Sequence, residues 1–292
     1  MRFKFWMLAV LAIPLWSVEV SAQPYWENHV ATQCVEWQGN WSWGTWSSIV
    51  NYSTTTTLGV DCPAIGHNYG VAVYGQVDVE SGFDETAPLL EPSYDDELTM
   101  DKYGELKVAC EQVAAELAGD RLLIIRPGYV LGPHDPTHRF TYWVERVAQG
   151  DAPMAGPDAE QPLQGVDARD LGAFTVSQIE AKAVDAFHVT APEPAPTFAE
   201  VLETIATAID RPLPEVRWVG AKEQLPLTAP ADWWPKMRAS LAKARAAGFT
   251  YRPLADTARD TYEWVTAERA AGRYQPRPGV GPTPEQEQEL LS

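Results

Sequence analysis

Tyr103 and Lys107 are the residues of this sequence best suited to chemistry. They stand four apart in Tyr103-Gly-Glu-Leu-Lys107, and on a helix positions i and i+4 share a face. A free phenol titrates near a pKa of about 10, too high for a base at neutral pH. An ammonium group a few ångströms away favours the phenolate and lowers that value. Such a pair can exchange a proton with a substrate hydroxyl or carbonyl. The spacing alone is common enough to arise by chance, so its surroundings carry the weight. The pair falls near the start of a predicted helix over 99–117, an acidic stretch leads into it, and an apolar strand follows.

The elements that must position this pair alternate in type. Residues 71–74 form a short apolar run of strand character. After the helix over 99–117, ended by Gly119, residues 121–126 (RLLIIR) read as a continuous apolar strand stopped by Pro127-Gly128. A run of that kind suits a buried parallel strand. Helices are predicted over 140–148, over 171–182 with Asp167 and Asp170 available to cap it, and over 197–209. The last of these opens with Thr197 and carries Glu200 three residues on, the pattern of a capping box. A strand is predicted over 186–190 and further helices over 239–247 and 254–271. Strands alternating with helices imply a parallel sheet covered on both faces. The proline- and glutamate-rich stretch 273–292 is expected to be disordered.

Val73-Tyr74-Gly75, then YGELK with Tyr103 and Lys107, then RPGYVLGP at 126–133 resembles the extended short-chain dehydrogenase/reductases. That family includes NAD-dependent sugar-nucleotide epimerases, dehydratases and reductases. Further matches follow in the same order: GPHDPTHRFTYW at 132–143, QGVDARDLGAF at 164–174 and AAGFTYRPLADTARDTYEW at 246–264. The resemblance covers roughly residues 70–265. It implies an α/β fold: an incomplete Rossmann-like parallel sheet with helices on both faces and a small C-terminal helical region on the substrate side. It implies Tyr103 as acid/base, and Lys107 as the group that lowers its pKa and binds a nicotinamide ribose. Pro127, Gly128 and Tyr129 would lie beside the nicotinamide of NAD or NADP, and His134 and Arg139 would face a small-molecule substrate such as a sugar nucleotide.

The sequence departs from that pattern at its start. A dinucleotide pyrophosphate is held by backbone N–H groups at a glycine-rich turn and a helix N-terminus. No Gly-x-x-Gly-x-x-Gly turn precedes residue 70, and the position four before Tyr74, a serine in the family, is Gly70. Binding of NAD or NADP is therefore expected to be weak or lost, and catalytic competence is in question.

Composition sets the outer limits. The chain has 292 residues, 45% hydrophobic and 21% charged, which suits a folded protein. Acids outnumber bases by 40 to 22, a net charge of −18, which repels phosphate backbones and argues against nucleic acid. Residues 1–22 read as a secretory signal. Arg2 and Lys4 start it, an apolar run over 5–16 follows, and Val20-Ser21-Ala22 precedes a cut before Gln23. The run is short for a membrane span. This start implies secretion or a periplasmic location, whereas the family resemblance implies the cytoplasm. Residues 23–69 hold five tryptophans and no lysine or arginine. They allow a second reading of the chain, a secreted non-catalytic protein that stacks carbohydrate or another partner on tryptophans. The domain order expected is thus 1–22 signal-like, 23–69 tryptophan-rich, 70–272 epimerase-like and 273–292 tail. Cys34 and Cys62 are candidates for a disulfide if the chain is exported, and Cys110 for a buried thiol.

Overall fold

The computed structural model describes residues 81–94, 102–118, 120, 122–150, 152–190 and 192–292. The signal-like start, the tryptophan-rich segment, Cys34 and Cys62, and the 71–74 strand lie outside the described residues.

Helix α1 (Tyr103–Ala118) leads into strand β1 (Leu123–Pro127), which is followed at once by β2 (Tyr129–Leu131). Helix α2 (Arg139–Gln149), β3 (Met154–Gly156), β4 (Gly165–Asp167) and α3 (Ala168–Glu180) come next. The chain continues through β5 (Asp185–Val189), α4 (Phe198–Ala208) and β6 (Val216–Trp218). A 3-10 turn (Ala231–Met237), α5 (Ala242–Ala246), α6 (Leu254–Ala270) and α7 (Pro284–Leu291) complete it. The described strands form three parallel pairs, β1 with β5, β2 with β4 and β3 with β6. In the first pair Leu123 lies opposite Asp185 and Pro127 opposite Val189.

The apolar run predicted as a buried parallel strand over 121–126 contains β1, observed over Leu123–Pro127. Successive side chains of a strand point to opposite faces. Leu123 and Ile125 accordingly join Leu171 and Phe174 of α3, Ala244 of α5, and Phe249 in one core cluster. Ile124 points the other way and packs on Ala114 and Ala118 of α1. Helices therefore cover both faces of β1. In a second core Phe140, Trp143 and Val147 of α2 meet Phe198, Val201, Leu202 and Ile205 of α4 and Ala258 of α6.

Local signals set several boundaries. Thr197 caps α4 in a complete capping box with Glu200. Asp167 caps α3, its carboxylate accepting from the Arg169 N–H at 2.9 Å. Strands β2, β3, β4 and β6 have three residues each, too few for a period-2 pattern to stand out in the sequence.

The tail departs from expectation. Residues 273–292 carry α7, capped by Thr283 with Gln286 and started by Pro284. Leu290 and Leu291 pack on the second core. The proline-rich composition concealed a capping box and two leucines that pack, partly buried, on that core. Cys110 is half-buried rather than buried, and burial still pushes its thiol pKa up.

Candidate functional site

Tyr103 and Lys107 lie one helical turn apart at the N-terminal end of α1, and both are buried, at 5% and 4% exposure. The Lys107 ammonium sits 5.2 Å from the centre of the Tyr103 ring. The two side chains thus share one face, as the spacing predicts.

The same stripe continues to Glu111. Its carboxylate takes two hydrogen bonds from Arg126 near the end of β1, Nε at 2.9 Å and Nη2 at 2.6 Å. Arg126 follows Ile125 on the strand, so it faces α1 and not the α3 side. This bidentate pair fixes the height of the helix against the strand. Lys107 and Tyr103 lie one and two turns before Glu111 on the same helix, about 6 Å and about 12 Å of helix rise away.

His188 lies opposite Arg126 in the β1–β5 register and faces the same side. Glu85 closes over it, its carboxylate accepting the His188 backbone N–H at 2.6 Å. Phe83 meets the His188 ring edge-on, with centroids 5.4 Å apart. Burial, then the nearby Arg126 charge, drives the His188 pKa down to about 3, so the ring is neutral at ordinary pH.

The 127–129 turn is held by the protein itself. The Gly128 N–H donates to the Val189 carbonyl at 3.2 Å, and the Tyr129 N–H to the Gln164 carbonyl at 3.0 Å. A Cβ at Gly128 would stand 2.5 Å from Thr190 Oγ1 and 2.6 Å from the Gln164 oxygen, so only glycine fits. Pro127 ends β1 beside Val189.

His134 and Arg139 bracket the loop before α2. Arg139, the first residue of α2, is buried with its guanidinium 5.1 Å from the Tyr129 ring centre. That contact ties the loop to the 127–129 turn. His134 is exposed, in a left-handed conformation (φ 64), with its ring 5.0 Å from that of Trp264 on α6. Asp135 between them is buried. Burial raises its carboxyl pKa, against the opposing hydrogen bonds from Thr137 and the charge of Arg139.

Four residues that sequence reasoning did not single out shape this site: Glu85, Glu111, Arg126 and His188. Two signals were present. Glu111 repeats the i+4 interval of Tyr103 and Lys107, and Arg126 is a charge at the end of an otherwise apolar strand. Glu85 and His188 are brought together across 103 positions of sequence and left no local sign.

Among the described residues no group of histidine, cysteine, aspartate and glutamate is arranged to hold a metal ion. No helix among them is long and apolar enough to cross a membrane. The resemblance in the sequence expects a nicotinamide and its ribose at Tyr103, Lys107 and the 127–129 turn. A pyrophosphate cradle is not among the described residues.

No protein-family profile matches the sequence, and no curated protein matches it. Solved structures do. UDP-glucuronic acid 4-epimerase from Bacillus cereus, in complex with NAD, matches with a TM-score of 0.50 and 16% identity, covering 77% of this chain and 71% of that chain. GDP-L-fucose synthetase from Naegleria fowleri, bound to NADP, matches with a TM-score of 0.51 and 13% identity, covering 78% and 73%. The fold is therefore similar to that of these NAD- and NADP-bound structures. At such identities the likeness establishes the fold.

Proposed function

We propose that this chain carries the acid/base end of an oxidoreductase or epimerase site acting at a hydroxyl or carbonyl carbon. Tyr103 exchanges the proton with the substrate oxygen. Lys107 favours the phenolate and so brings the tyrosine into a useful range. A nicotinamide cofactor, when bound, supplies or accepts the hydride at that carbon. The substrate class is a sugar nucleotide, in keeping with the proteins that share the fold.

The observation that carries this reading is the buried Tyr103–Lys107 pair, set by the Glu111–Arg126 bridge on the helix that leads into β1. Arg139 stacked on Tyr129 supports a substrate side adjoining the same turn.

The test is turnover of UDP- and GDP-sugars by full-length protein at millimolar NAD or NADP, followed by absorbance of the reduced nicotinamide and by mass spectrometry of the sugar. Slow turnover is expected, and Tyr103→Phe lowers it by about 10²–10⁴, the range for losing a positioned acid/base. Equal turnover by Tyr103→Phe and the unaltered chain contradicts the assignment.

A further inference from the structure

We infer that Tyr274 and Arg277, in the segment after α6, are positioning residues for the loop that carries His134 and Arg139. The inference rests on that loop being the substrate side of the site proposed above.

The loop is costly to hold in place. His134 and His138 both take left-handed backbone conformations, φ 64 and φ 53, which disfavour residues bearing a Cβ. His138 occupies the N-cap of α2 without a side-chain capping bond. Such strain persists only where the surroundings over-determine it.

The surroundings here come from the chain's C-terminal end. Tyr274 stacks on the His138 ring, centroids 5.6 Å apart and planes 14° from parallel. Trp264 of α6 meets the other rings edge-on, 6.1 Å from His138 and 6.0 Å from Tyr274. The Arg277 N–H donates to His138 Nδ1 at 3.3 Å, and its guanidinium donates to the Pro136 carbonyl at 3.1 Å. Burial lowers the His138 pKa, against the charges of Asp135 and Glu145, which keeps Nδ1 an acceptor. Both left-handed residues are thus gripped by aromatic rings, and the loop backbone between them is bonded to Arg277.

The segment that grips is itself anchored at both ends. Tyr274 donates its hydroxyl to Glu145 of α2 at 2.5 Å, and Arg269 pairs with the same carboxylate. Gly281 crosses α2 so closely that a Cβ there would lie 2.1 Å from the Tyr142 ring, so only glycine passes. Beyond it, Glu287 accepts from Arg146 at 3.0 Å and from the Ala155 N–H at 3.2 Å. Tyr274 and Arg277 therefore act from a fixed support along the length of α2.

The experiment is amide hydrogen exchange on the ligand-free full chain, with Tyr274→Ala, Tyr274→Phe and Arg277→Ala. Tyr274→Phe keeps the ring stack and is the conservative rescue. We expect exchange over residues 132–142 to quicken at least tenfold in Tyr274→Ala and in Arg277→Ala. Tyr274→Phe should stay within about threefold of the unaltered chain, and β1 and β5 should be unchanged throughout. Unchanged exchange in Tyr274→Ala overturns the inference. So does an equal increase over β1 and β5, since that marks general loosening. Because the readout needs no substrate, absence of sugar-nucleotide turnover counts against the proposed activity and not against this positioning.

Discussion

Replacing Glu111 by alanine leaves the Arg126 guanidinium buried and without its carboxylate. Both side chains are only 5% exposed, and the bridge consists of two short charged hydrogen bonds. Removing one partner of a buried pair costs about 3–5 kcal/mol, because the survivor stays desolvated and loses its opposite charge. Domains of ordinary stability hold about 5–15 kcal/mol in all, so the loss is a large share. The double variant Glu111→Leu with Arg126→Met removes both charges and keeps the volume, and so costs less than either single change. The assay is urea unfolding at pH 7 followed by circular dichroism, on the two single variants and the double. A loss under about 1 kcal/mol for Glu111→Ala would refute the reasoning, as would a double variant costing the sum of the singles. The first result would mean that water or other protein groups compensate Arg126, and the second that the two groups do not interact.

The other predictions concern His188 and the C-terminal helix. His188 has a folded pKa near 3 against an ordinary 6.5, so between those values the unfolded chain binds a proton that the folded one refuses. Its stabilisation is present above pH 6.5 and is lost as the pH falls toward 3, by about 2–3 kcal/mol between pH 6.5 and 4.5. In His188→Asn the urea midpoint should decline less over that interval than in the unaltered chain, and equal slopes would show that the ring titrates normally. Glu287→Ala frees Arg146 and the Ala155 N–H from their shared acceptor. It should cost about 1–3 kcal/mol and open residues 273–292 to limited proteolysis, whereas unchanged cleavage would show that the leucines alone hold the helix.

The parts of the fold that could be read from the sequence are those whose signal is local. The apolar run at 121–126 gave β1, Thr197 with Glu200 gave the start of α4, and Asp167 gave the cap of α3. Each depends on neighbours within about four residues. The Tyr103–Lys107 face was equally legible, since helix geometry alone makes it. What could not be read arises from pairing at a distance. Short strands such as β2 and β4 are fixed by each other and not by pattern. The grip of Tyr274 and Arg277 on His138 joins residues more than a hundred positions apart, in a stretch whose composition suggests disorder. Glu85 over His188 is of the same kind.

The function proposed here combines an acid/base pair, Tyr103 with Lys107, and little hold on a cofactor's phosphates. The pyrophosphate carries two negative charges and requires a glycine-rich turn at a helix start. The sequence before residue 70 holds no such turn, and the chain's net charge is −18. Contacts of a nicotinamide with Tyr103, Lys107 and the 127–129 turn alone would be worth a few kcal/mol, about millimolar affinity or weaker. The most direct measurement is a fluorescence titration of the full chain with NADH and NADPH. The account predicts no saturation below about millimolar concentration for either nucleotide. Saturable binding in the micromolar range would contradict it and require a phosphate site in residues 1–80.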